Sequence, residues 1–486
     1  METLYLKEIT QAVRGTLGGC GKSSVRVSGM SSDTRTLSPG DIYVALRGDR
    51  YDGHDFIDEA VRKGAAALMV ARSALWALTG KESKGSDPLP IVAVDDTQEA
   101  LLAMAGWYRR RFDIPLLAIT GSNGKTSTKD LLGTVLSSAG KTVYSERSFN
   151  NFVGVPLTLF KISSATRFAA IEIGTNAPGE IRTLTDVALP RIGVVTNISP
   201  SHLSGLNSVE GIAREKGDLL RGLSRGGTAV INSDDPFCEK MRAAALDEGA
   251  AGKVVTFGFR KSADIAASGI RVTVRGISFT IDGLPVELPL LGVHNVYNGL
   301  AAFACALELG LDPEGIAAAM KEFRGTPMRL EPRRVGSLLV VNDAYNANPA
   351  SVAVAIKTFA DYPVTGRKIV LLGDMLELGK RSRELHRRTG ARLASAGFDL
   401  VVAVGQRAGD YVEGALRKGV DGSTLQPFDS LDKALSSLPD LVRKGDSILI
   451  KGSRGMGLER VIEKLVQMER NSGRHERPQK STGSVS

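Results

Sequence analysis

The chain has 486 residues, 42% hydrophobic and 24% charged, an ordinary soluble balance with room for about three domains. Its net charge of +9 comes with only 5% aromatics and dispersed Lys and Arg, a pattern that argues against nucleic-acid binding and suits phosphate-bearing substrates. Cys20, Cys238 and Cys305 are scattered and odd in number, and METLYLKEIT lacks a signal-peptide plan, so we expect no disulfide framework, no zinc cluster, no membrane insertion and a cytoplasmic location.

Residues 1–105 read as a first unit. Short apolar runs at 41–46 (DIYVAL), 65–70 (AAALMV) and 90–94 (PIVAV) have strand length, with helical spacing at 55–63 between the first two. Residues 31–39 form a polar loop with Arg35 beside several hydroxyls. It suits an anion or sugar contact, and equally a turn carrying a solvated arginine. Residues 80–87 read as a surface loop and 97–112 as a helix leading onward.

From 106 to 328 the pattern is strand, loop, helix, repeated. Strands are expected at Leu116–Thr120, 142–145, 168–173, 192–197, 228–232 and 254–257. Such alternation predicts an α/β fold with a mostly parallel sheet covered on both faces, and ligands bind such sheets at the carboxyl ends of the strands. The polar candidates fall there: 172–176, 197–202, 232–234 and, above all, the loop after Thr120.

That loop, TGSNGKTST, supplies Gly121, Ser122, Asn123, Gly124, Lys125, Thr126 and Ser127, and a helical pattern follows it. Strand, glycine loop and helix make a phosphate cradle: backbone N–H groups face the anion, Lys125 reaches the outer phosphates and Thr126 offers its hydroxyl to Mg²⁺. The usual loop has a glycine where Ile119 stands, so this is the shorter TGxxGKT form.

Glu172 ends an apolar run, as a carboxylate serving Mg²⁺ beside such a loop does. His202 follows another strand, among Ser199, Ser201 and Ser204. In the helix expected over 207–223, Asn207 and Glu210 form a plausible cap pair, and Lys216 falls inside the apolar stripe of Ile212, Ala213, Leu219 and Leu220. A lysine there either snorkels to water or is buried, and burial favours its neutral, reactive amine.

A third unit spans 329–468, again α/β, with strands expected at 338–342, 369–372, Leu400–Val404 and 447–450. Its polar loops are DAYNANPAS, GDMLELG, GQRAG and KGSRGMG. The last has GxxGxG spacing and not the dinucleotide fingerprint. Residues 469–486 are polar, without periodicity, and read as a disordered tail.

TGSNGKTST, FNNFVGVPLTL, IEIGTNAPGEI, SHLSGL with AREKGDL, INSDDP, HNVYNGLAA, MRLE, DAYNANPAS, LLGDMLELG and KGSRGMGLE together resemble the Mur ligases. The resemblance implies three domains: an N-terminal UDP-substrate domain, a central P-loop ATPase domain with a parallel sheet, and a C-terminal Rossmann-like domain. DAYNANPAS and LLGDMLELG resemble members that join D-alanyl-D-alanine to UDP-N-acetylmuramoyl-tripeptide. Members that add diaminopimelate carry DNPR, a tetrapeptide missing here; a diaminopimelate- or lysine-adding ligase is the alternative, and a non-catalytic ATP-dependent scaffold a second one.

The resemblance further implies ATP and Mg²⁺, acyl-phosphate chemistry and a monomer. Lys125, Glu172, His202 and Lys216 would be catalytic, with Thr126, Glu172, His202 and a carbamylated Lys216 on the metal. Asn295, Arg329, Asp343 and Asn346 would line the nucleotide, Asn151 and Thr175 the muramoyl peptide, and Ser32, Thr34 and Arg35 the uridine nucleotide.

Overall fold

The computed structural model describes residues 1–18, 23–48, 50–75, 89–200, 203–249, 251–273 and 275–475. The α/β class holds, built on three principal sheets. The first has five strands in the order Thr16–Gly18, Ile91–Val94, Ala67–Ala71, Asp41–Val44 and Gly29–Ser31, parallel except for its first pair. The apolar runs read at 41–46, 65–70 and 90–94 supply its centre, fully buried as a two-faced sheet demands. The loop expected at 80–87 lies outside the described residues, as does Cys20.

Helix Thr97–Arg109 begins at Asp96, whose carboxylate accepts from the N–H groups of Gln98 and Glu99. It docks on the central unit. The Tyr108 hydroxyl donates to Ile162 O at 2.6 Å, and Arg109 donates to Ala188 O at 3.0 Å, so two backbone carbonyls of the next unit are satisfied by this helix.

The central sheet has nine strands, with Leu116–Thr120 between Phe168–Glu172 and Ile192–Val195. All six strands expected here are present and parallel. Three more extend the sheet: Ile265–Thr273, Gly276–Ile281 and Leu284–Leu288, the last two antiparallel additions. They lack the continuous apolar runs of the buried strands. Their signal was alternation about Asp282-Gly283, both at positive φ, a two-residue hairpin turn.

The last sheet runs Glu331–Val335, Leu338–Asp343, Ser447–Lys451, Lys368–Gly373, Leu400–Val404 and Leu425–Phe428, parallel after its first pair. The two edge strands each carry a proline and few buried apolar residues, and do not stand out as apolar runs. Helix Glu459–His475 continues through the start of the segment read as a tail. The Glu469 carboxylate accepts from Ser337 N–H at 2.8 Å, which anchors that end of the helix to the sheet; residues 476–486 lie outside the described set. No helix among the described residues is long and apolar enough to cross a membrane.

Candidate active site

The glycine loop is built by its neighbours. Gly121 and Gly124 take φ of 148° and 83°, and a Cβ on either would collide with Thr196 Oγ1 or Asn298 Oδ1. Asn123 O accepts from Thr196 Oγ1 at 2.6 Å and from Asn197 Nδ2 at 2.9 Å, while Ser122 N–H donates to Asn197 O at 2.8 Å. The end of the adjacent strand thus holds the loop open. Lys125 Nζ donates to Gly121 O at 2.8 Å, curled back over the cradle.

Glu172, 1% exposed, sits at the carboxyl end of its strand. Its two carboxylate oxygens accept from Thr126 Oγ1 at 2.8 Å and Asn150 Nδ2 at 2.7 Å. Ser148 Oγ is 3.2 Å from the Thr126 hydroxyl. A carboxylate and two hydroxyls converging at a phosphate cradle are the hard oxygen donors that suit Mg²⁺. His202 lies outside the described residues.

The helix that carries Lys216 spans Val209–Arg221 and is capped by Ser208, whose Oγ accepts from Gly211 N–H at 3.0 Å. The expected Asn207–Glu210 pair is therefore corrected. Asn207 has φ of 61° and stands one residue outside the cap, where a side chain cannot reach the orphan N–H groups of the first turn. Lys216 is 2% exposed. Burial drives its pKa well below the ordinary lysine value, the nearby Lys125 cation adds to this, and Glu215 and Glu172 oppose it. Lys125 is shifted down as well, by burial, against the pull of Glu172. Lys216, Lys125, Glu172, Asn151 and Thr175 line one cavity of about 230 Å³ together with Arg329 and Tyr345.

Across the cleft the last unit contributes a second wall. Arg329 Nη2 reaches Thr126 Oγ1 at 3.4 Å, with its guanidinium 4.3 Å from the Tyr345 ring centroid and its Nε buried without a hydrogen-bond partner among the described residues. Asn348 Nδ2 donates to Asn123 Oδ1 at 2.9 Å while its own Oδ1 caps helix Pro349–Asp361. Asp343 is paired to Lys451 at 2.9 Å, and Lys451 Nζ donates to Asn346 O at 2.7 Å. Asn295, Asn298, Asp343, Lys451 and Arg329 line a second cavity of about 360 Å³ that opens on Gly124 and Ser127.

Ser32, Thr34 and Arg35 are not brought to the glycine loop. They line a separate cavity of about 520 Å³ in the first unit, with Tyr43, Tyr51 and Phe56. Arg35 is exposed and paired to Asp33 at 2.6 Å.

Site residues that escaped the sequence reading include Ser148, Asn150, Glu215, Asn348 and Lys451. Glu215, 3% exposed, accepts from Thr175 Oγ1, Gly179 N–H and Ile181 N–H at 3.2, 2.7 and 2.9 Å, and so fixes the loop after Glu172 beside Lys216. Asn348-Pro349 carried a local signal, an N-cap followed by proline at the first helical position. Glu215 and Lys451 carried none, because their partners lie far away in sequence.

Three family profiles match the chain: Mur ligase family, catalytic domain, over 26–108; Mur ligase middle domain over 119–306; and Mur ligase, glutamate ligase domain, over 328–454. The UDP-N-acetylmuramoyl-tripeptide--D-alanyl-D-alanine ligase of Bacillus subtilis strain 168 is 33% identical over 465 residues, covering 95% of this chain and 98% of that one. The Escherichia coli K12 protein of the same name is 33% identical, covering 96% and 99%. The crystal structure of MurF from Acinetobacter baumannii superposes with a TM-score of 0.84 at 28% identity over 96% of this chain and 99% of that one. MurF of Thermotoga maritima in complex with ADP shares the fold, with a TM-score of 0.73 at 24% identity, covering 91% and 98%.

Proposed function

The chain belongs to the Mur ligase family, and we propose that it joins D-alanyl-D-alanine to UDP-N-acetylmuramoyl-tripeptide with ATP, completing a cytoplasmic peptidoglycan precursor. On this reading residues 1–105 take the UDP end of the substrate, 106–328 the ATP and 329–468 the incoming amine, in a monomer acting in the cytoplasm. The observation that carries it is the two-walled site: Arg329 and Asn348 of the last unit meet Thr126 and Asn123 of the glycine loop. The near full-length relatives named for this reaction support the choice of amine.

A peptide carboxylate is a poor electrophile. Its oxygen attacks the γ-phosphorus of ATP, the bond to the β-phosphate oxygen breaks, and acyl phosphate and ADP result. The dipeptide nitrogen then attacks the acyl carbon, loses its proton, and inorganic phosphate leaves. Two anions must meet in the first step, so fixed positive charge between them is the main catalytic need. Lys125 and Arg329 flank that point and supply it. On this reading Asn295 and Asp343 serve the nucleotide, Asn346 the phosphate end over the glycine loop, where it also borders the peptide cavity, Asn151 and Thr175 the peptide, and Ser32, Thr34 and Arg35 the uridine end.

Thr126 and Glu172 fit one Mg²⁺, with His202 and Lys216 assigned to a second. When bound, Mg²⁺ supplies further positive charge at the phosphate oxygens. Lys216 fits this role only after modification: its neutral Nζ attacks the carbon of CO₂, an N–C bond forms, and one proton leaves to water. The carbamate so formed offers oxygens where an ammonium offers none. Support for it is the sealed position of Lys216 beside a second lysine.

Phosphate release from ATP tests the reading. UDP-N-acetylmuramoyl-tripeptide with D-alanyl-D-alanine should give steady release and a ligated product. Release with diaminopimelate or lysine in place of the dipeptide, and none with the dipeptide, would overturn it.

A further inference from the structure

The GDMLELG segment follows strand Lys368–Gly373, and its side chains are not part of the chemistry above. Its backbone is held at every residue from Gly373 to Leu376. Gly373 O accepts from the Tyr411 hydroxyl at 3.1 Å and Asp374 O from Ser453 N–H at 3.2 Å. Met375 N–H donates to His386 Nε2 at 3.0 Å, and Leu376 N–H donates to Ser453 Oγ at 2.9 Å. The Asp374 carboxylate accepts from the N–H groups of Gln406 and Arg407 at 2.9 and 3.0 Å. So fixed, the loop turns outward, with Glu377 in the left-handed region at φ of 62°, and Leu376, Glu377 and Leu378 close one side of the cavity over Lys125 and Thr126.

Among these anchors His386 is the one whose protonation turns the acceptor of Met375 N–H into a donor. It is fully buried in helix Ser382–Ala391, edge-on to the Tyr411 ring at 4.9 Å. Because Met375 N–H is a donor, Nε2 must be unprotonated, and the ring proton sits on Nδ1, which donates to Ser382 O at 2.7 Å. We propose that His386 is a positioning residue for ATP, acting through Met375 N–H to set the Leu376–Glu377–Leu378 segment against the glycine loop, and that only its neutral ring can do so. The functional consequence rests on the ligase reading above; the clamp itself does not.

The charged groups around the ring are Asp374 from the loop, Asp410 from helix Ala408–Leu416, Arg407 just before that helix, and Arg383 and Arg387 on its own helix, both paired to Asp410. Burial lowers the His386 pKa and outweighs Ser382 O, Asp374 and Asp410, which favour the cation; Arg407 acts with burial. The neutral ring therefore persists through the neutral range. As pH falls through the lowered pKa, the imidazolium turns an N–H toward Met375 N–H and the clamp opens.

The test uses the full chain with two substitutions. His386→Phe fills the space without an acceptor, and His386→Gln keeps a carbonyl that accepts from Met375 N–H. His386→Phe should raise the KM for ATP about tenfold with kcat changed by less than about threefold, and His386→Gln should restore KM to within about threefold. Wild-type kcat/KM for ATP should fall on the acid side, and His386→Gln should lack that limb. Backbone amide exchange at Met375, read without substrate, should be about tenfold faster in His386→Phe and unchanged in His386→Gln.

An ATP KM within about twofold of wild type in His386→Phe, or equal Met375 protection, overturns the proposal. If His386→Phe fails to fold, His386→Gln decides alone, since survival of the acid limb in it is equally fatal. Failure to ligate the dipeptide would overturn the ligase reading and leave the exchange result to judge the clamp.

Discussion

Lys216 of the central unit and Lys451 of the last unit are both sealed from solvent, 2% and 1% exposed, and burial lowers the pKa of each. Their neighbours part them. Lys451 sits 2.9 Å from the Asp343 carboxylate and also donates to Asn346 O, so its proton has two acceptors. For Lys216 the largest charge effect is another cation, Lys125, with Glu215 and Glu172 behind it. Glu215 already accepts from three donors of the Thr175–Ile181 segment. Burial alone does not make a lysine reactive. The partner decides whether it serves as half of an ion pair or as an amine, and on the proposed reading the two walls of this site hold one of each.

That contrast is most sharply broken at Lys451. Lys451→Met leaves Asp343 buried and unpaired, and should destabilise the fold by about 3–5 kcal/mol, read as a large drop in thermal midpoint. Lys216→Met, which replaces a buried amine that has no ion pair among the described residues, should leave the midpoint unchanged or higher. If the two losses were equal, the distinction between the lysines would fall.

The next effect is on rate. Lys216→Ala should lose activity by about 10²–10³-fold in kcat while ATP affinity, measured by direct binding, stays close to wild type. Bicarbonate or a small carboxylate should restore part of it. Full activity in Lys216→Ala, with an unmodified Lys216 in wild type under CO₂, would refute the carbamate.

Glu215→Gln tests whether the support beside Lys216 is ionic. A glutamine carbonyl accepts less strongly and its NH₂ cannot accept from Gly179 or Ile181 N–H, so about 1–3 kcal/mol of stability should be lost. The KM for the muramoyl substrate should rise with it, because the loop from Thr175 to Ile181 loses part of its support. An unchanged midpoint and KM would remove Glu215 from the site.

The smallest effect belongs to the cap of the helix that presents Lys216. Ser208→Ala should cost about 1 kcal/mol, whereas Glu210→Ala should leave the melting curve in place. The reverse outcome would restore the cap first read from Asn207 and Glu210.

Much of the site was legible along the chain where the constraint is local. The TGSNGKT loop announces itself by glycines that must take positive φ before a helix, and both do. Lys216 fell in a stripe of helical period, which allowed either snorkelling or burial, and the packing chose burial. The polar ends of parallel strands gathered as that topology requires, from Glu172 to Asp343. The hairpin about Asp282-Gly283 was equally local and was missed by looking for apolar runs in place of alternation.

The sequence by itself determined the alternation of strands and helices, the phosphate cradle and the placing of Lys216 on an apolar face, because periods of 3.6 and 2 residues and the demands of glycine act between near neighbours. Only the tertiary structure decided which distant groups meet: Arg329 with Thr126, Asn348 with Asn123, Lys451 with Asp343, His386 with Met375 N–H. Three of these pairs are over a hundred residues apart, from 108 to 225. Lys451 meets Asp343 because their strands pair in register within one sheet, and the other two depend on how strand-end loops face one another across a cleft. A short-range pattern carries no information about that angle; the packing of the units does.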